Sequence, residues 1–227
     1  MKTHLITLIA VALMGLAIDM NAADLKDPKA KTSYAIGVDI AKNLTQNGVE
    51  VEPQSLASGL VDALSGKAAL NEEEVQAVME EFRQQMRAKM MAKQSEAGAA
   101  NEKEGVDFLA ANGKKEGVKT TESGLQYKVL KSGTGKQPVA TDTVKTHYHG
   151  TLLNGEVFDS SVERGEPVEF PVNGVIQGWQ EALQLMHVGD KWQLFVPSKL
   201  AYGERGAGGK IGPNTTLIFE VELLEVK

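Results

Sequence analysis

The 227-residue chain contains no cysteine. That excludes disulfides, thiol nucleophiles and thiolate metal sites together. It also lacks any excess of positive charge: 24 Lys and Arg against 30 Asp and Glu give a formal net charge of -6. A nucleic-acid role therefore has no electrostatic support. Aromatic residues make up only 5% of the chain, so a place where several gather is informative. No proline interrupts residues 71–112, which leaves room for one long helix. Long hydrophobic runs are scarce as well. The amino-terminal run from Leu5 to Ile18 covers 14 residues, short of the ~20 needed to cross a bilayer. No later segment reaches that length.

Lys2 and His4 precede this run and the small residues Ala22-Ala23 follow it. The pattern predicts a secretory signal peptide over residues 1–22, cleaved near Ala22, with a retained membrane anchor as the alternative. No cysteine is available there for lipidation. The full chain is 42% hydrophobic and 24% charged, ordinary for a globular protein with a proper core.

Apolar residues Tyr34, Ile36, Val38, Ile40, Ala41 and Leu44 recur at helical intervals before Gly48. A second short helix is predicted from Pro53, through Leu56, Leu60, Val61 and Leu64, to Gly66. Asn71-Glu72-Glu73-Glu74 is a capping-box signature. The stripe Val75, Val78, Met79, Phe82, Met86 and Met90 follows, thinning after Gln94 and resuming at Val106, Phe108 and Leu109. A continuous helix of ~40 residues would be a rod of roughly 60 Å, too long for one small domain and suited to connecting two bodies. Gly98 and Gly105 read as soft points in it. Four methionines lie on this rod, either as an ordinary core stripe or as a subunit interface.

From residue 116 the pattern turns to strands. Residues 124–130, 144–149, 191–196 and 216–226 alternate, the last with Leu217, Phe219, Val221 and Leu223 on one side. One short helix runs from Gln177 to about Leu185. The predicted class is α+β: a C-terminal antiparallel twisted sheet wrapped on one short helix over 116–227. It is preceded by an all-α region over 23–70 and a connecting helix over 71–115. Asn154-Gly155 predicts a tight hairpin turn with two positive-φ positions.

Several chemistries fail on inspection. In the glycine-rich loop 203–210, Glu204 and Ile211 stand where a phosphate-binding loop requires Gly and Ser or Thr. His147 and His149 share a strand face, but His187 is the one other histidine after the leader, and a zinc site lacks a third ligand. They read as exposed sheet-face residues. No G-x-S-x-G elbow supports hydrolysis. What remains is an aromatic set, Tyr148, Phe158 and Trp179, beside one carboxylate, Asp159, the composition of a small apolar binding cleft.

Tyr148 with Gly150, Val157-Phe158-Asp159-Ser160-Ser161, Arg164-Gly165, Val175-Ile176-Gln177-Gly178-Trp179, Leu200-Ala201-Tyr202-Gly203 and Leu217 to Leu223 occur in order. Over residues 118–227 the chain thereby resembles the FKBP-type peptidyl-prolyl cis-trans isomerases. The helical front half is similar to the macrophage infectivity potentiator branch of that family. The resemblance implies an FKBP-like fold and isomerisation of X-Pro bonds in exported proteins, with no cofactor and no metal. It implies Trp179 as the floor of a proline pocket, with Tyr148, Phe158, Val175, Ile176 and Phe219 as walls. Tyr202 and the backbone N–H of Ile176 would donate to substrate carbonyls, and Asp159 would lie beside the twisting amide. Val168, Leu200 and Ile211 are carried over as substrate-binding positions. Val168 and Leu200 stand where the family often has an aromatic, and Ala207 where many members have a larger residue.

The same resemblance implies proline-containing polypeptides and macrolide inhibitors as ligands. It further implies a homodimer formed through the N-terminal helices and a periplasmic, outer-membrane-associated or cell-surface location in a Gram-negative bacterium. The non-enzymatic alternative is a dimeric periplasmic or surface chaperone whose two pockets clamp unfolded chains by avidity, or a host-interaction protein, in which proline binding matters more than turnover.

Overall fold

The computed structural model describes residues 25–227, and the signal-peptide reading of residues 1–22 lies outside them. The chain divides into two compact units, the first ending at Val75 and the second starting at Gln76.

In the first unit, α1 (Pro28–Gln46) is capped by Asp27, whose carboxylate accepts from the Ala30 N–H at 2.8 Å. α2 (Pro53–Ser65) begins on Pro53 beneath the Glu52 carboxylate and ends on Gly66 at φ +68, the left-handed stop that glycine adopts without strain. α3 (Glu72–Asn112) starts with a reciprocal capping box. The Glu74 N–H donates to Asn71 Oδ1 and the Asn71 N–H to Glu74 Oε2, both at 2.9 Å. Neither α1 nor α2 has a buried residue, and Tyr34, Ile36, Val61 and Leu64 lie exposed on them.

The second unit is built on an antiparallel sheet. Its strands are β1 (Val118–Thr120), β2 (Gln126–Lys131), β3 (Thr143–Thr151), β4 (Val157–Ser160), β5 (Val168–Pro171), β6 (Lys191–Val196) and β7 (Leu217–Val226). The order is β1-β2-β6-β7-β3-β4, with β5 also on β3. β4 pairs with the end of β3 and β5 with its start, so two successive segments share one long edge. A single-turn helix, α4 (Ser161–Arg164), separates them, and α5 (Gln177–Leu183) packs on the sheet. Trp192, Leu194 and Val196 of β6 and Phe219, Val221 and Leu223 of β7 join Trp179, Ala182 and Leu183 of α5 in one core. Gly178 lets α5 approach closely: a Cβ there would stand 2.5 Å from Val196 Cγ1.

Three details differ from the sequence reading. At the β3–β4 hairpin only Gly155 has positive φ, +86. The Gly155 N–H donates to the Leu152 carbonyl and the Leu152 N–H to the Glu156 carbonyl, which makes a three-residue loop with a glycine bulge. The Asn154 side chain accepts from the Glu156 N–H at 2.9 Å, so its backbone has no need of the left-handed region. α5 also ends two residues early, at Leu183.

The third difference concerns the last turns of α3, which lie against the sheet domain. Phe108 meets Phe195 at 5.8 Å between ring centroids. Asn112 Nδ2 donates to Gln126 Oε1 at 3.0 Å, and Gln126 Nε2 to the Leu109 carbonyl at 2.9 Å. Gly98 and Gly105 are buried here, and a Cβ on Gly105 would fall 2.3 Å from Thr216 Oγ1. The two glycines read as soft points are points of close contact. Among the described residues no helix is long and apolar enough to cross a membrane.

Candidate functional site

β3 alternates buried and half-buried residues, which turns Tyr148 inward and His147 and His149 to the other face. Each histidine meets a serine across the β3–β4 edge: His147 Nδ1 lies 3.1 Å from Ser161 Oγ, and His149 Nδ1 2.9 Å from Ser160 Oγ. Among the described residues no group of His, Asp or Glu could hold a metal ion.

Tyr148 opens onto a cleft of about 280 Å³ lined also by Phe158, Asp159, Phe170, Gly174, Val175, Ile176, Trp179, Tyr202 and Phe219. Trp179, at the start of α5, is the hub of its aromatic wall. Tyr148, Phe170 and Phe219 each meet it near a right angle, at 5.4, 5.9 and 5.3 Å between centroids. Phe158 stands edge-on to Phe219 at 5.4 Å. Edge-to-face packing suits each ring's quadrupole. The Trp179 indole Nε1 is buried with no hydrogen-bond partner among the described residues, so the indole serves the cleft as apolar surface. Gly150 makes room for this cluster, since a Cβ there would lie 2.7 Å from the Phe158 ring and 3.0 Å from the Phe219 ring.

One polar corner interrupts the apolar wall. Tyr148 donates its hydroxyl to Asp159 Oδ2 at 2.6 Å. Arg164 donates to Asp159 Oδ1 through one nitrogen and to the Tyr148 hydroxyl through another, the latter at 2.8 Å. The serines of the 157–161 motif explain how Arg164 gets there. Ser160 caps α4 through the Glu163 N–H, and Gly165 at φ +78 ends it after one turn, so the chain doubles back toward Asp159. Burial works to raise the Asp159 pKa. The hydrogen bonds from Tyr148 and Arg164, with the guanidinium charge, outweigh it and hold the carboxyl below its ordinary value. Tyr148 is pushed up by burial and by its bond to Asp159, and Tyr202 by burial and the Asp159 charge. Both phenols therefore remain hydrogen-bond donors at neutral pH.

Two donors at the cleft have no intramolecular acceptor among the described residues: the Tyr202 hydroxyl and the Ile176 backbone N–H. The Ile176 carbonyl is occupied, accepting from the N–H groups of Trp179 and Gln180 as α5 begins. Gln180 Nε2 in turn donates to the Val175 carbonyl at 2.7 Å, which ties down the residues beside the floor.

Eight of the predicted site residues come together here: Tyr148, Phe158, Asp159, Val175, Ile176, Trp179, Tyr202 and Phe219. Val168, Leu200 and Ile211 do not line the cleft. Val168 sits two residues before Phe170 on β5, packed on the core, and the ring of Phe170 supplies that wall. Leu200 is buried in the core below the Tyr202 turn, and Ile211 is buried where its backbone bridges Ala207. Phe170 was missed, although its spacing from Val168 on a strand puts both on one face. Arg164 stood in the motif without a role.

The C-terminal part, residues 134–224, matches the family model of the FKBP-type peptidyl-prolyl cis-trans isomerase. Residues 29–129 match the domain amino-terminal to that isomerase. The chain is 44% identical to the outer membrane protein MIP of Legionella longbeachae, over 100% of this chain and 99% of that one. It is 51% identical to the FKBP-type 22 kDa peptidyl-prolyl cis-trans isomerase of Escherichia coli K12, over 87% and 95% respectively. The crystal structure of FkpA from Escherichia coli superposes with a TM-score of 0.73 at 37% identity, covering 89% of this chain and 98% of that one. Family model, full-length relatives and fold agree that the chain belongs to the FKBP-type peptidyl-prolyl cis-trans isomerases.

Proposed function

We propose that the cleft seats a prolyl ring on Trp179 and speeds rotation of the preceding imide bond in exported polypeptides. In this reading Tyr148, Phe158, Val175, Ile176, Phe170 and Phe219 wall the ring. Tyr202 and the Ile176 N–H hold substrate carbonyls, and Asp159 flanks the rotating amide. The observation that carries it is an aromatic cleft open at its mouth, with two donors at its rim that have no partner among the described residues.

The chemistry demanded is modest. Uncatalysed X-Pro rotation takes ~10–100 s, a barrier near 20 kcal/mol. Turnover at ~10–10³ s⁻¹ asks for roughly 3–7 kcal/mol of relief. No bond is made or broken, so neither a nucleophile nor a cofactor is required. A planar amide is charge-separated by resonance and water stabilises it more than the orthogonal form. Excluding water from the imide narrows that difference, and donors fixed in place hold the twisted chain. Macrolides that fill such sockets would compete for the same surface.

The apolar faces of α1 and α2, unburied within one chain, support a homodimer covered there by a second copy. On this reading residues 23–70 dimerise, 71–115 form the connecting arm and 116–227 the isomerase domain. The signal-peptide pattern of residues 1–22 and the outer-membrane naming of the Legionella relative support a periplasmic or outer-membrane-associated location.

Isomerisation of a proline tetrapeptide by Asp159→Ala and Tyr202→Ala tests the site. Each is expected to lose tenfold or more, on the order of 1.4 kcal/mol of transition-state stabilisation. Unchanged turnover in both would remove these residues from the mechanism.

A further inference from the structure

Tyr202 lines the cleft, yet nothing among the described residues bonds its hydroxyl. With no hydrogen bond at its tip, its placement depends on ring packing and on the turn that carries it. The next residue, Gly203, has φ +55, and its carbonyl accepts from the Asn214 N–H at 2.8 Å. Asn214 is itself held in an uncommon state. Its φ is +54, and among the described residues it is the one non-glycine with positive φ. Asparagine tolerates that region better than most L-residues but at some cost, so surrounding contacts must hold it there.

Those contacts come from α3. Asn214 Nδ2 donates to the Gly98 carbonyl at 3.4 Å. Asn101, the next turn along, donates through Nδ2 to the Pro213 carbonyl at 2.8 Å and to Thr215 Oγ1 at 3.2 Å. Gly98 lies in close register with this segment, a Cβ built on it reaching Asn214 Nδ2 and Pro213 at an ordinary contact distance of 3.4 Å. A continuous path thus runs from α3 through residues 213–215 to the turn that carries Tyr202.

We propose that Asn214 is a positioning residue for the isomerase reaction. Its left-handed backbone aims an N–H at the Gly203 carbonyl and so fixes Tyr202, while α3 braces it through Gly98 and Asn101. The proposal rests on the reading of Tyr202 as a substrate-contacting group. It gives the final turns of α3 a part in the active site beyond joining two units.

The test measures kcat/KM of the full chain on a proline tetrapeptide, with circular dichroism as a check on folding. Asn214→Ala, which disfavours positive φ, is expected to lower kcat/KM about fivefold, the worth of one ordinary hydrogen bond. Asn214→Gly keeps the positive φ and is expected to stay within about twofold of the parent on the same scale. In a Tyr202→Ala background the Asn214→Ala loss should vanish, because both changes remove one linked contribution. A fivefold loss persisting in that background, or parent-like kinetics for Asn214→Ala beside an impaired Tyr202→Ala, would overturn the latch and leave the Tyr202 role standing. An unimpaired Tyr202→Ala would overturn both. Should Asn214→Ala not fold, Asn101→Ala carries the same cycle without touching a strained position. A smaller loss, again absent without Tyr202, supports the latch, whereas no loss or an additive one overturns it.

Discussion

The Tyr148 hydroxyl and the Asp159 carboxylate, 2.6 Å apart, join β3 to β4 across the mouth of the cleft. Strand register alone brings them near: Gly150 pairs with Asp159, two residues past Tyr148. Arg164 then bonds both partners and stacks its guanidinium 5.6 Å from the centre of the Tyr148 ring. The three side chains hold one charged corner in place beside an otherwise apolar wall.

This corner has a pH signature. The Asp159 carboxyl is held below its ordinary value of 3.8 in the folded state, so its contribution to stability is complete above that value. It is lost as pH falls through the lower folded value. Thermal unfolding of the parent and Asp159→Asn should therefore differ by a constant amount near neutrality and converge in acid, below about pH 4. Arg164→Ala removes two of the influences that lower the carboxyl, so the Asp159-dependent stability should fade at higher pH than in the parent. The Arg164–Asp159 pair is nearly half exposed, at 44% and 45%. The overall stability change for Arg164→Ala should stay under about 1 kcal/mol.

Gly150 is a separate test of the aromatic wall. A methyl group there would press on the Phe158 and Phe219 rings, which are already packed against each other. Gly150→Ala should cost about 1–3 kcal/mol of stability by overpacking and raise KM by displacing a wall. Gly155→Ala makes the comparison: nothing lies within 4 Å of its Cβ, but φ is +86. It should cost about 1 kcal/mol through backbone strain and leave KM alone. Denaturant titrations paired with peptide kinetics distinguish the two.

Phe108 tests the brace on the back of the sheet. Its ring is half-buried against Phe195, so Phe108→Ala should destabilise the second unit by about 1–3 kcal/mol, less than full burial would give. The segment 213–215 behind the Tyr202 turn contacts α3 through other residues, Gly98 and Asn101, so kcat/KM should hold at temperatures well below unfolding. Urea midpoints and peptide kinetics on the same preparation check both halves of the expectation.

Much of this was legible beforehand because it is written in local patterns. The capping box at Asn71, the glycine stop at Gly66 and the two-residue alternation of β7 each depend on neighbours a few positions away. The cleft was legible through motif order, since Phe158, Trp179 and Tyr202 keep a spacing that the fold family requires. Phe170 and Val168 exchanged roles because alternation puts both on one face without saying which reaches the cleft. Phe195 broke its strand's polarity pattern, and Gln126 is buried on the polar face of its own strand, for a reason outside those strands, the helix lying on that face.

The sequence alone determined the three amino-terminal helices, the main strands and their apolar faces, and most of the aromatic set around residue 179, with Phe170 the exception. Those choices follow from backbone preference and side-chain period, which act over a turn or a strand. Only the tertiary structure decided that Arg164 closes on Asp159, that Asn214 is held left-handed, and that Gly98, Asn101 and Gly105 form a docking stripe. Each depends on atoms brought together from distant parts of the chain or by an abrupt turn, and a stripe of small residues has no hydrophobic period to announce it.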